Sequence, residues 1–131
     1  TTTGLELACF GIPIVICGEA WMKGKGVGID IRSQEQYFEV LKSLPFGSRL
    51  SEEEVTYARK YAYHFFMRRM IPIGMLESAP YGNIPYKIPE KGLSVFDKGS
   101  DLGLDIICDG ILNGSEFVYP AEMQVSRISN A

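Results

Sequence analysis

The first apolar pattern of the chain has helical spacing. Leu5, Ala8 and Cys9 stand at positions i, i+3 and i+4, so they share one helical face. The pattern predicts a short helix over residues 3–10. Gly11 is placed to end this helix, because glycine readily adopts the left-handed conformation that follows many helices.

Two strand-like runs follow. IPIVICG, residues 12–18, is continuously apolar, rich in β-branched residues and closed by glycine. Such a run predicts a strand buried on both faces, as in a parallel sheet covered by helices. GVGIDI, residues 26–31, predicts a second short strand. The pattern therefore favours the α/β fold class.

Two helices with polar N-caps come next. Ser33 precedes an apolar stripe that predicts a helix to about residue 44, with Gln36 at the position of a capping box. Ser51 and the three glutamates after it predict a longer helix to about residue 70.

The regular pattern is lost after residue 70. Prolines and glycines are scattered over residues 71–97, which predicts an irregular segment with a short extended piece near residues 86–88. Residues 100–112 return to helical spacing, with Ser100 as the expected N-cap and Gly114 as the expected end.

Composition narrows the functional classes. The chain has 131 residues, 46% of them hydrophobic and 22% charged, as in globular domains. Its net charge of −3 gives no basic surface, so we expect no nucleic-acid partner. No apolar run is long enough to span a bilayer and no secretory pattern is present. The three cysteines lie in apolar surroundings and are expected to be buried thiols, which favours a cytoplasmic location.

The start of the first helix is the first candidate binding site. A helix N-terminus presents unpaired N–H groups and a partial positive charge, which attract phosphate. Thr2 and Thr3 add hydroxyl groups or cap the helix, and Gly4 lets a ligand approach the backbone. Glu6 is placed to accept hydrogen bonds from sugar hydroxyls. The alternative is a plain capped helix with Glu6 in solvent.

The glycine-rich loop after the first strand is the second candidate. Open α/β sheets bind ligands at the carboxyl ends of their strands, and the loop GEAWMKGKGVG begins there. Lys23 and Lys25 are candidates to face an anionic group, Glu19 offers a carboxylate, and Trp21 offers a ring for stacking. The loop lacks the spacing of a phosphate-binding P-loop, and the alternative is a solvated basic turn.

Three aspartates repeat every four residues on the last predicted helix, at Asp101, Asp105 and Asp109. Such a row is a candidate for metal binding, but carboxylates on the polar face of a helix are far more common. Motifs for zinc, calcium or a catalytic serine are absent from the sequence. We therefore predict no metal site and no cofactor.

Several segments of the first 72 residues resemble those of bacterial capsule polysaccharide biosynthesis proteins. That family has a (S/T)TGLEA helix, a GxPVIV strand, a G-x-A-x-Y-x-x-K-G loop and a helix with EEYFELL. The similar segments here are TTGLE at 2–6, GIPIV at 11–15, GEAWMKGKG at 18–26 and EQYF at 35–38. YAYHFFMRRMIP, residues 61–72, is also similar to a later helix of the family.

The resemblance implies a glycosyltransferase built from two Rossmann-like lobes, of which this chain is the C-terminal part. The implied fold is a partial Rossmann-like lobe, with a short parallel sheet flanked by helices and a helical C-terminal half. Residues 1–72 would form a donor-binding half-lobe, and residues 73–131 an irregular segment and a C-terminal helix of the same domain. The donor phosphate would lie at Thr2, Thr3 and Gly4, with a donor hydroxyl at Glu6.

The partners implied by the resemblance are a nucleotide-sugar donor and a polysaccharide or lipid-linked acceptor held by an N-terminal lobe. A peripheral association with the inner face of the inner membrane is also implied. The chain alone is expected to be inactive, because the other lobe supplies the acceptor and the catalytic base. One alternative is a non-catalytic regulatory or assembly module that retains the fold. Another is a sugar-nucleotide epimerase, which needs a histidine at its site, and His64 is the only histidine.

Overall fold

The computed structural model describes residues 2–78, 86–87 and 92–123, which form a mixed structure of helices and short strands. The chain divides into two compact units, Thr1–Tyr63 and His64–Ala131. The α/β class is confirmed at this level. The organisation into residues 1–72 and 73–131 stays a prediction.

The first unit contains three helices and one parallel pair of strands. They are α1 (Thr2–Cys9), β1 (Val15–Ile16), β2 (Ile29–Asp30), α2 (Gln34–Lys42) and α3 (Glu52–Tyr63). Val15 pairs with Ile29 and Ile16 with Asp30, in parallel orientation. The predicted parallel sheet is therefore present.

Helix α1 forms as its apolar pattern predicts. Leu5 and Ala8 are almost fully buried, and the helix packs against α3. Gly11 has a φ of 79°, the left-handed value that ends a helix. Because α1 begins at Thr2, Thr2 and Thr3 lie inside its first turn and not at the N-cap position predicted for them.

Strand β1 is shorter and less covered than predicted. Ile14 and Ile16 are buried, whereas Ile12 is 37% exposed and Val15 is half-buried. Successive side chains of a strand point to opposite faces, so only one face of this two-stranded sheet lies in the core. The prediction of burial on both faces is wrong.

Both N-terminal caps of α2 and α3 are confirmed. Ser33 Oγ accepts a hydrogen bond from Gln36 N at 3.2 Å, although the Gln36 side chain accepts from Arg32 N rather than from Ser33. At α3, Ser51 Oγ accepts from Glu54 N, and Glu54 Oε2 accepts from Ser51 N at 2.7 Å. This reciprocal pair is a complete capping box.

The second unit combines short elements of several types. They are a π-helical segment (His64–Arg69), the antiparallel strands β3 (Glu77–Ser78) and β4 (Tyr86–Lys87), a 3-10 helix (Leu93–Phe96) and α4 (Leu102–Asn113). The extended piece predicted near residues 86–88 is confirmed at Tyr86–Lys87, and residue 88 lies outside the described residues. The prediction of one α-helix to residue 70 is wrong, since α-helical bonding ends at Tyr63.

Helix α4 begins at a buried aspartate. Asp101 is 8% exposed, and its Oδ1 accepts from Leu104 N at 2.9 Å. Its Oδ2 accepts from Met75 N at 2.6 Å. The N-cap of α4 is therefore Asp101, one residue after the predicted Ser100. The two oxygens of its carboxylate accept from two backbone N–H groups at once. Gly114 ends the helix as predicted, with a φ of 70°.

The cysteines differ from their prediction. Cys17 and Cys108 are exposed and Cys9 is half-buried, and all three are free thiols. The apolar neighbours of Cys17 in sequence belong to the core-facing part of β1, whereas Cys17 itself lies just beyond that strand. In the part of the chain that the structure describes, no helix is long and apolar enough to cross a bilayer.

Candidate functional site

A depression lies at the carboxyl end of β1. It has a volume of about 190 Å³ and is lined by Gly4, residues 14–20 and Met22. Gly4 belongs to the first turn of α1, so a helix N-terminus and a strand end meet in one place. The first N–H groups of a helix have no partner within it, which makes this a suitable place for an anionic ligand.

Gly4 itself fits closely at the edge of this depression. A Cβ on Gly4 would lie 3.4 Å from Met22 Sδ and 3.6 Å from Ile14 Cδ1. Met22 is 3% exposed and Ile14 is 8% exposed. The backbone of α1 therefore comes within van der Waals contact of the core beside the strand end. A larger side chain at Gly4 would press on Met22 and Ile14, which line the depression.

A second depression adjoins the first through Cys17, which lines both. Its volume is about 420 Å³. Its lining comes from the end of β2, the start of α2 and the glycine-rich loop, and consists of Cys17, Lys23, Ile31, Arg32, Ser33, Gln34 and Tyr37. Two of these side chains are cationic and none is acidic, so this depression favours an anion over a cation.

The seven predicted site residues are only partly brought together. Gly4 and Glu19 line the first depression, and Lys23 lines the second. The remaining four are exposed and line neither of these two depressions: Thr2, Thr3, Glu6 and Lys25. The two candidate segments thus meet at the carboxyl edge of the sheet, where Gly4 of α1 and Glu19 of the loop line the same depression.

Glu19 and Lys23 are paired with each other. Lys23 Nζ lies 2.6 Å from Glu19 Oε1, with the two side chains 32% and 92% exposed, respectively. An exposed ion pair of this kind contributes only about 0–1 kcal/mol. A phosphate group can therefore compete with Glu19 for the lysine at small cost.

Three side chains hold the glycine-rich loop. Asp30 Oδ2 accepts a hydrogen bond from Gly24 N at 2.8 Å, and Tyr57 donates its hydroxyl to Lys25 O at 2.9 Å. The Tyr61 ring stacks on Trp21, with centroids 6.1 Å apart and an angle of 14°. Trp21, predicted as a stacking surface for a ligand, thus contacts a ring of its own chain.

None of these three supports was predicted from the sequence. The two tyrosines stand four residues apart on α3, which places them on one helical face, and this spacing is the signal that could have indicated a shared role. Burial raises the pKa of Tyr61 above its ordinary value of 10.0, and the neighbouring Tyr57 adds to the shift.

Glu6 acts on a different part of α1. Burial raises the pKa of the Cys9 thiol, Arg59 opposes the shift, and the Glu6 carboxylate adds to it. Arg59 Nε also donates to Cys9 O at 3.1 Å, where a cation stabilises the C-terminal end of the helix. Glu6 thus belongs electrostatically with Cys9 and Arg59.

Each of the three predicted aspartates at α4 accepts a hydrogen bond from a nearby residue of the chain. Asp101 is its N-cap, Asp105 accepts from Gly99 N, and Asp109 accepts from Asn113 Nδ2. Hydrogen bonds from the Ser115 and Asn113 side chains lower the pKa of Asp109. Among the described residues, no group of three His, Cys, Asp or Glu side chains is arranged to hold a metal ion.

Three segments of the first unit surround the carboxyl end of β1 or lead to it. TTGLE forms the start of α1, GIPIV leads into β1, and the loop carries the Glu19–Lys23 pair. Comparisons with protein-family models, with curated proteins and with solved structures give no match to this chain.

Proposed function

We propose that this chain is the donor-binding part of a glycosyltransferase that builds capsular or other surface polysaccharide, with a partial Rossmann-like lobe. One observation carries the proposal. Gly4 at the start of α1 and Gly18 and Glu19 after β1 line one depression. All three belong to segments that resemble those of the capsule family, TTGLE at 2–6 and GEAWMKGKG at 18–26. Ligands of open α/β sheets bind at such strand ends.

The proposed mechanism is electrostatic. The donor phosphate lies against the N-terminus of α1, whose partial positive charge stabilises it. Lys23 leaves Glu19 and moves to the phosphate, because the exposed ion pair is weak. Negative charge that develops on the leaving nucleotide phosphate is then stabilised as the glycosidic bond breaks. Glu19, once released, is free to accept a hydrogen bond from a donor hydroxyl.

The acceptor and the catalytic base belong, in this proposal, to an N-terminal lobe. The 131-residue chain is therefore expected to bind the donor and to transfer nothing. Transfer of sugar by the isolated chain, measured with a labelled donor and a polysaccharide acceptor, would contradict this division of labour. A cytoplasmic location at the inner face of the membrane is part of the same proposal, since nucleotide sugars and the growing polysaccharide meet there.

Calorimetric titration with UDP-, GDP- and CMP-linked sugars tests the proposal. The Gly4→Asp variant places a negative charge in the first depression, and Gly47→Asp is its matched control, because a Cβ at Gly47 meets nothing within 4 Å. We expect one nucleotide class to bind the wild-type chain and the control equally. Gly4→Asp should weaken binding at least about tenfold through repulsion of the phosphate.

Two results would contradict the proposal. One is the absence of binding for all three nucleotide classes. The other is equal affinity of wild type and Gly4→Asp, which would place the ligand elsewhere. Amide NMR spectra of both variants check that α1 is retained, as expected since aspartate is favourable in the first turn of a helix.

A second candidate function is a non-catalytic regulatory or assembly module that retains the fold. The observation that favours it is the dispersal of the predicted site. Thr2, Glu6 and Lys25 line neither depression, and Lys23 is already paired with Glu19. This candidate predicts no nucleotide-sugar binding by any variant, so the same titration separates the two. An epimerase is disfavoured, since that class needs a histidine at its site and His64 is the only histidine of the sequence.

A further inference from the structure

The glycine-rich segment of residues 21–28, called the basic loop from here on, is anchored at both ends and at its middle. Met22 and Val27 are buried in the core, 3% and 4% exposed. Gly24 and Gly26 between them have φ values of 72° and 71°. Two glycines between these buried residues would make an unsupported loop flexible, because glycine loses the most conformational freedom on ordering.

Asp30 supports the middle of the basic loop from strand β2. Its Oδ2 accepts from Gly24 N at 2.8 Å. Its Oδ1 is buried, and no described residue donates a hydrogen bond to it. A buried carboxylate oxygen without a partner is costly. The hydrogen bond from Gly24 N to Asp30 is therefore the contact that accounts for a carboxylate at this position.

Tyr57 supports the same loop from helix α3. Its hydroxyl donates to Lys25 O at 2.9 Å. Its ring also lies against Gly26, where a Cβ would be 3.6 Å from Tyr57 Cε1. The two supports act on adjacent residues, Gly24 and Lys25, from opposite elements of the first unit. The backbone that carries Lys23 and Lys25 is thus fixed although both side chains remain partly or fully exposed.

We propose that Asp30 and Tyr57 are positioning residues that preorganise the basic loop for an anionic ligand at the carboxyl edge of the sheet. This inference rests on the proposed function, since it assigns Lys23, which lines the second depression, to the phosphates of that ligand. A loop already fixed in its bound conformation does not pay the ordering cost on binding. Loss of the hydrogen bond to Asp30 or from Tyr57 should therefore lower the affinity for the ligand and have a smaller effect on the stability of the fold.

Two readouts on one set of variants test this inference. Amide hydrogen exchange of residues 22–28 is measured without ligand, and the affinity for inorganic pyrophosphate is measured by calorimetry. The variants are Asp30→Ala, Asp30→Asn and Tyr57→Phe. Tyr63→Phe is the matched control, because Tyr63 lies on the same helix and is 39% exposed.

In Asp30→Ala we expect the Gly24 amide to exchange about tenfold faster, since its hydrogen-bond acceptor is gone. Asp30→Asn should restore slow exchange, because the amide oxygen still accepts from Gly24 N. Tyr57→Phe should lower pyrophosphate affinity about threefold to tenfold, the effect of one lost hydrogen bond. Tyr63→Phe should change neither quantity. Thermal unfolding of Tyr57→Phe and Tyr63→Phe should remain similar.

Each contrary result has a distinct meaning. An unchanged exchange rate of the Gly24 amide in Asp30→Ala would overturn the anchoring role of Asp30, whether or not the affinity for pyrophosphate changes. Faster exchange with unchanged pyrophosphate affinity would overturn the role in binding. If wild type does not bind pyrophosphate, the proposed phosphate site fails, and the exchange rates alone then decide whether the loop is anchored as described.

Discussion

Gly28 is a position where the structure predicts a clear loss of stability from a single added methyl group. A Cβ on Gly28 would lie 2.6 Å from Ile14 Cγ1, 3.0 Å from Ile14 Cδ1 and 3.1 Å from Ile14 O. Carbon atoms pack best at about 3.5–4.0 Å. Ile14 is buried, and its carbonyl accepts from Ile29 N at 2.9 Å, so neither its side chain nor its backbone can move freely.

Gly28→Ala should therefore lower the free energy of unfolding by about 1–3 kcal/mol, the usual cost of overpacking a core. In a unit of this size each kcal/mol corresponds to about 4–8 °C in Tm. Urea unfolding followed by Trp21 fluorescence measures the effect, because Trp21 is the only tryptophan and lies in the first unit.

Gly18→Ala is the matched control. A Cβ on Gly18 meets nothing within 4 Å, so the same substitution should be neutral, or stabilising by up to about 1 kcal/mol through the unfolded chain. Equal stability of the two variants would refute the reasoning, since it would mean that Gly28 is not pressed against Ile14. An Ile14→Ala background should recover part of the Gly28→Ala loss, because it removes the closest atoms.

The remaining predictions concern a cap, a carboxylate and the thiols. Asp101→Ala should lower the free energy of unfolding by about 2–4 kcal/mol in denaturant titrations, because it leaves two backbone N–H groups without their acceptor. Hydrogen bonds from the Ser51 backbone and hydroxyl lower the pKa of Glu54 below its ordinary 4.5. The ionised Glu54 carboxylate should therefore stabilise the fold fully above pH 4.5, and this stabilisation should be lost as the pH falls through the lower pKa of the folded state. Carboxyl NMR should give a titration midpoint for Glu54 below 4.5. Mass spectrometry after brief alkylation should find Cys17 and Cys108 modified before Cys9, which is less exposed and has a raised pKa; earlier reaction of Cys9 would contradict this.

The elements that could be predicted from sequence are those whose cause is local. Leu5 and Ala8 define the buried face of α1 by spacing alone, and Ser33 and Ser51 cap helices through bonds to residues three positions away. A parallel sheet was predicted from the continuous β-branched apolar run at residues 12–18, whereas the pairing of β1 with β2 was not.

The features that the sequence did not reveal depend on distant contacts. Asp101 was overlooked as the cap of α4 because its second partner, Met75 N, lies 26 residues away along the chain. Trp21 was interpreted as a surface for a ligand because its stacking on Tyr61 spans 40 residues. The Glu19–Lys23 pair joins residues only four positions apart. The conformation of the loop decides whether the two side chains contact each other or a ligand, and the spacing alone does not determine that conformation.

The candidate site could also be predicted only in part. Motif order placed the start of α1 and the loop after β1 in one functional region, and Gly4 and Glu19 do line one depression. The positions of Thr2, Glu6 and Lys25 outside both depressions depend on the direction of each side chain from its element. That direction follows from helix phase and loop geometry, which short segments do not determine.

The most direct test of the donor-site proposal is an amide NMR titration of the chain with UDP-, GDP- and CMP-linked sugars. The account predicts saturable shifts from one nucleotide class, centred on Gly4, Gly18 and Glu19 and extending to Lys23. Shifts confined to other residues, or no shifts with any of the three classes, would contradict it.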